Sequence, residues 1–284
     1  MPEFDLTHTL TVGAYFAGAV ATVAIGKLSR DLFASRKGHK LSAALALQDN
    51  TAVAIEQSVF VLTTVIGLLG SIVVAADTWH GQAADFAITA ALVLAALTLA
   101  EKGTARLTLP GVDLDDQVVT HANTAVATAR AASVLATALV VRAALGHESA
   151  IEERIAWVFI GQVALVAMTR LYQRLTSYDD VAELKRRNLA AALPLAGIQL
   201  AVGLVIEASL RGEGHGWAAD LSSVGLDLAL SAALLYVLRL LGDWLLLHHS
   251  TFAEEIARDR NVGAGFVEGS SYVAGAIAIA FFLN

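Results

Sequence analysis

Cysteine is absent from this chain, proline occurs three times, and only 16% of the 284 residues are charged. The missing cysteine excludes disulfides and thiolate chemistry. Of the prolines, Pro194 alone falls inside a long apolar stretch, so helices elsewhere can run without the break that proline imposes. The charge content lies well below the quarter typical of soluble domains. No basic domain and no interleaving of basic with aromatic residues speaks for nucleic acid. No Walker loop, nucleophile elbow, HExxH or GxGxxG stands in a supporting context, so neither an enzyme nor a cofactor is expected. The opening MPEFDLTH is acidic, where a signal peptide needs a basic start. The first apolar block is therefore read as a retained transmembrane helix.

What is present is apolar: 56% of the residues are hydrophobic and the mean hydropathy is +0.63. The excess sits in blocks long enough to cross a bilayer, about 20 residues each. Eight spans are predicted, over 6–28, 50–76, 82–101, 119–145, 154–174, 188–210, 221–247 and 261–283. Membrane β-strands would be shorter and alternating. The expected fold is an all-α integral membrane bundle. Of the 19 basic residues, 15 lie in the loops between odd and even spans. The positive-inside rule puts those loops in the cytoplasm and both termini outside. Trp79, Trp157 and Trp217 then fall at outer interfaces and Trp244 at an inner one.

Four of the five asparagines open the same short pattern: Asn50 (NTAVA), Asn123 (NTAVA), Asn188 (NLAAA) and Asn261 (NVGAG). Asn50 to Asn188 and Asn123 to Asn261 are both 138 residues. The chain reads as two halves, 1–145 and 150–284, each of two helical hairpins. A unit with an even number of spans duplicates without flipping, so the halves are parallel repeats. DDVAELKRRN and TFAEEIARDRN, before Asn188 and Asn261, read as short amphipathic helices on the inner surface. The stretch before Asn123 lacks such a turn in its sequence pattern.

The segments AELKRRNLAAALPLAG at 182–197 and EEIARDRNVGAGFVEGS at 254–270, with ALALQDNTAVAIEQS at 44–58 as a third copy, resemble the YjfL-like bacterial inner-membrane proteins, domain-of-unknown-function family 350. The resemblance implies a multi-pass plasma-membrane protein without an assigned activity, in the company of polyamine- and membrane-stress-related proteins.

Two groups of residues could carry chemistry. The four asparagines sit at equivalent helix starts. They can cap those helices, bond between helices, or form a ring of amides around a polar ligand. Glu56, Arg130 and Glu268 lie one or two turns into their spans, where ionisable groups usually face a bundle interior or a wet cavity. Arg130 and Glu268 occupy the same repeat position, 138 residues apart, with opposite sign. They are expected either to pair across the halves or, with Glu56, to line an ion path. Arg142 and Glu207 form a second equivalent set near the outer interface. His248, His249, Glu254 and Glu255 do not suggest a metal site, because adjacent histidines do not share a helix face. The leading expectation is a role in envelope maintenance through assembly with itself or a membrane partner. The alternative is a transporter or channel for a small ion or organic cation such as a polyamine.

Overall fold

The structure is a computed structural model that describes residues 6–72, 78–147, 149–211, 216–246 and 250–283. His248 and His249 lie outside the described residues. Among these residues, eight helices are long and apolar enough to cross a membrane. They are α1 (Leu6–Arg36), α2 (Thr51–Leu68), α3 (Trp79–Leu99), α4 (Thr124–Gly146), α5 (Ile151–Leu175), α6 (Leu189–Ser209), α7 (Trp217–Leu246) and α8 (Val262–Leu283). No strand occurs among the described residues. The eight expected spans are present. α1 runs on past residue 28 to Arg36 and α3 begins at Trp79, so both are longer than their apolar cores.

The even helices start alike because each is capped by its asparagine. Asn50, Asn123, Asn188 and Asn261 precede the first helical residue. The first three have extended backbone angles. Their side-chain oxygens accept from Val53, Val126, Ala190 and Ala264 amides at 3.1, 3.2, 3.1 and 3.2 Å. This satisfies donors that every helix start leaves without a partner. The residue just before each asparagine has a left-handed backbone: Asp49, Ala122, Arg187 and Arg260, with φ of 50, 47, 60 and 52°. None is glycine, so each turn carries a strain of roughly 1–2 kcal/mol. That turn reverses the chain out of a short lead-in segment: Leu41–Leu47, Asp116–Thr120, Asp180–Lys185 and Glu254–Arg258. The turn missing from the sequence pattern before Asn123 is therefore there; DLDDQVVT forms it without the acidic-amphipathic spacing of the others.

The asparagine amides then join neighbouring repeats. Asn50 Nδ2 donates to the Val118 and Val119 carbonyls at 3.0 and 3.1 Å. Asn123 Nδ2 donates to the Leu184 carbonyl at 2.9 Å, and Asn188 Nδ2 to the Ile256 carbonyl at 2.8 Å. Each acceptor lies in the next repeat's lead-in segment. The four even helices must therefore begin at one level and run parallel.

They pack as a row, α2 on α4, α4 on α6, α6 on α8. The odd helices fill its grooves: α3 touches α2 and α4, α5 touches α4 and α6, and α7 touches α6 and α8. Small residues allow the close approach. Gly197 lies against the Gly269 backbone and Gly269 against the Leu193 carbonyl, across α6 and α8; Gly265 lies against the Ala190 carbonyl, and Gly203 against Ala136. Close backbones are how membrane helices associate when lipid is as apolar as the side chains. Pro194 cannot donate to the Ala190 carbonyl four residues back, and this is the carbonyl that Gly265 covers. The middle of the row is the buried core: 78% of the most apolar window of α4 and of α6 is buried, against 11% in α1.

Replacing a buried asparagine by alanine removes a cap and an inter-repeat bond together. Asn123→Ala and Asn188→Ala should each cost about 1–2 kcal/mol for the cap and about 1 kcal/mol for the helix-to-helix bond. Thermal unfolding in detergent reads this directly. Equal stability of either variant and the natural chain would contradict the joining role.

Candidate functional site

Among the described residues, the charges near the asparagine-bearing end gather in two networks, one in each half. In the first half Arg30 reaches Glu101 Oε1 at 3.0 Å and Glu56 Oε2 at 3.7 Å. Arg130 Nη1 donates to Asp115 Oδ1 at 3.0 Å and lies 3.2 Å from Glu56 Oε1; its Nη2 is 3.9 Å from Glu101. Lys37 joins from the rim, 2.5 Å from the second oxygen of Asp115. Four helices contribute or lead into this set: α1 supplies Arg30, α2 Glu56, the extension of α3 Glu101, and α4 Arg130. Phe60 supports the Arg30 guanidinium, 4.7 Å from its ring centre. Asp115 lies outside the spans. Burial opposes its ionisation, but Arg130 and Lys37 together hold its carboxyl below the usual range.

A cavity of about 1020 Å³ opens onto this network. Glu56, Arg130, Arg30 and Glu101 line its depth, and Lys37, Lys102, Arg106 and Asp113 its mouth. It lies among α1, α2, α3 and the loop before Asn123, at the end of the bundle that carries the asparagines. Its size is that of a small-molecule site.

The second half builds its network from other residues. Glu268 pairs with Arg239 Nε at 3.5 Å and accepts from the Tyr272 hydroxyl at 2.7 Å. Tyr172 packs edge-on to Tyr272, with ring centres 5.9 Å apart. Asp180, beyond the end of α5, accepts from the Thr176 hydroxyl at 2.8 Å. Burial pushes its carboxyl up to about 7, and the nearby Glu268 adds to that.

Arg130 and Glu268 therefore do not pair across the halves. Each has its partners inside its own half. Their equivalence has a different expression: Arg130 meets Glu101, and Glu268 meets Arg239, which is Glu101 shifted by 138 residues. The same ion pair occurs in both halves with its sign reversed. The halves differ in what surrounds it. Tyr172, Tyr178 and Tyr272 stand where the first half has Ala34, Lys40 and Val134. Tyr172 and Tyr272 pack against each other beside the second half's pair, whereas Ala34 lines the first half's cavity.

The other sequence candidates separate by role. All four asparagines act as caps and three as inter-repeat joints; Asn261 is exposed. They stand along a row and do not enclose a ring of amides. Arg142 and Glu207 pair at 3.1 Å, between α4 and α6, and Arg211 adds a contact at 3.3 Å. No group of three metal-ligating residues occurs among the described residues. Arg30, Glu101, Asp115 and Arg239 are site residues that the sequence reading passed over. The apolar block ends at residue 28, so Arg30 reads as a loop charge in the sequence although it lies on α1. The 138-residue shift applied to Arg239 would have pointed to Glu101.

Eight membrane-length helices in four joined hairpins, with charges held inside, define a multi-pass membrane protein built from internal repeats. The chain belongs to the family described as Domain of Unknown Function (DUF350), whose model matches it twice, over residues 5–145 and 148–283. No curated protein and no solved structure matches it.

Neutralising one member of a buried pair strands the other charge, at a cost of about 3–5 kcal/mol in the buried limit. Glu268→Gln should lower thermal stability, and adding Arg239→Gln should restore part of it. Adding Arg130→Gln to Glu268→Gln should restore nothing. Unfolding of the two double variants distinguishes these outcomes.

Proposed function

We propose that the protein binds a small ion or organic cation at Glu56 and moves it through the membrane as a transporter or channel. The observation that carries this reading is the cavity that reaches Glu56 and Arg130 within the apolar helices. Ionisable residues at such depth usually mark ion paths. Glu56 and Glu101 are each shared between Arg30 and Arg130. An entering cation competes with Arg30 for both carboxylates. Arg30 belongs to the least buried helix, so its guanidinium can swing toward the mouth while Arg130 stays fixed in the row. Exchanging one cation for another keeps the network's charge unchanged, which limits the cost of burying it. The role in envelope maintenance, expected first from the sequence, rests on the family resemblance and on no residue of this site.

We place the asparagine-bearing end in the cytoplasm of a plasma membrane, with both termini outside, on the strength of the loop charges. A reporter fused after Asn284 should then be active only outside the cytoplasm; activity only inside reverses the orientation.

Flux into proteoliposomes tests the transport reading, with labelled spermidine and rubidium ion as probes. Saturable uptake of at least one is expected, falling at least tenfold in Glu56→Gln. Arg142→Gln, at the opposite end of the bundle, should leave it unchanged. Uptake no greater than in empty liposomes for both probes rejects the reading.

A further inference from the structure

We infer that the row of even helices continues into a second copy of this chain: α8 of one molecule packs against α1 and α2 of the next, with Asn261 of the first donating to a lead-in carbonyl of the second. The observation is an incomplete joint. Asn50 uses its amide on two carbonyls of the next repeat. Asn123 divides its own between Gln117 of its own repeat and Leu184 of the next. Asn188 does the same with Glu183 and Ile256. Asn261 has only the first kind of partner, Glu255 Oε2 at 2.9 Å. Among the described residues nothing takes its other amide hydrogen.

The repeat says where the missing acceptor should be. Val118, Leu184 and Ile256 stand five, four and five residues before the next asparagine. The corresponding residues before Asn50 are Leu45 and Ala46. Both are exposed in the last turn of their short helix, where carbonyls lack helical partners.

The helix faces agree with this placement. Within the chain α4 presents Ala136 to Gly203 of α6. Shifted by 138 residues, these become Ala274 of α8 and Val65 of α2. Both are exposed, Val65 by 41%. The flanking helices show the same vacancy. α3, α5 and α7 each lie between two even helices, whereas α1 touches α2 and α3 and has no even helix on its other side. Seating α8 of another copy there gives α1 the environment of its counterparts. The contact is head-to-tail, so it closes into a ring or extends as an array. Val65 stands where α6 has glycine, which makes this joint wider than those inside the chain. The inference is independent of transport.

The absence of natural cysteine makes crosslinking a clean test. A Cβ on Gly203 would lie 3.0 Å from Ala136 Cβ, and a joint slightly wider than that matches the roughly 3.8 Å of a disulfide. Full-length Val65→Cys and Ala274→Cys proteins are co-reconstituted in liposomes and oxidised. A linked dimer is expected from the mixture and from neither protein alone; the double variant should give a series of multimers. A dimer from Ala274→Cys alone means a two-fold contact and overturns the inference. No linked species in any sample means that lipid covers these faces, and overturns it as well. Asn261→Ser keeps a capping hydroxyl but is too short to reach another chain. It should lower the crosslink yield severalfold with thermal unfolding unchanged; an unchanged yield removes Asn261 from the joint.

Discussion

A helix that starts in or near a membrane must satisfy its own first amides, and the segment before it must satisfy its last carbonyls. One asparagine does both here. Its oxygen caps the helix it precedes, and its amide closes the lead-in segment of the next repeat. That single bond sets the level of each even helix against its neighbour. With the level set, Gly197, Gly203, Gly265 and Gly269 fall opposite the backbone they must approach. A small residue in the wrong register would leave a gap, and a large one in the right register would force the helices apart. The left-handed residue before each asparagine is the strain that this arrangement accepts.

Much of this is legible in the sequence. The 138-residue shift identified the parallel halves, and apolar length identified the eight helices. In the sequence the asparagines read as caps, as joints between helices or as a ring of amides for a ligand; the structure places them as caps in a row, three of them as joints. The ion-pair partners were not legible. Arg130 and Glu268 share a repeat position, and symmetry suggested that they face one another. In a row they cannot, because repeat-equivalent residues face along the same direction, each toward its own flanking helix. Arg30 and Asp115 were hidden for another reason. α1 continues beyond its apolar block, and the turn before Asn123 has no amphipathic signal, so both residues read as loop charges. A polar extension of a membrane helix looks like a loop until its packing is known.

The two halves keep one frame and differ in what surrounds its shared ion pair. The ion pair at the shared position survives in both, with Glu101–Arg130 in one and Arg239–Glu268 in the other. Reversing the sign preserves the attraction and the packing, so the frame tolerates it. The surroundings have diverged further. Tyrosines crowd the second pair, while the first gains Arg30, Glu56 and an open approach. Desolvating a pair is costly wherever it occurs. On the transport reading proposed above, the first half's pair is the one that stands open to a cavity.

The position of the cavity also limits what can move. α4 and α6 are buried against each other through small residues, and a path between them would have to break the joints at Asn123 and the packing of Gly203 on Ala136. The cavity instead lies beside the row, walled by α1 and α3. Those two helices touch the row through few close backbone contacts, and α1 is the least buried of all. On the transport reading proposed above, opening the far side of the cavity would displace α1 or α3 against the row, with Arg30 on α1 and Arg130 on α4 of the row. Glu56 and Glu101, shared between those two arginines, would then be the groups whose partners change.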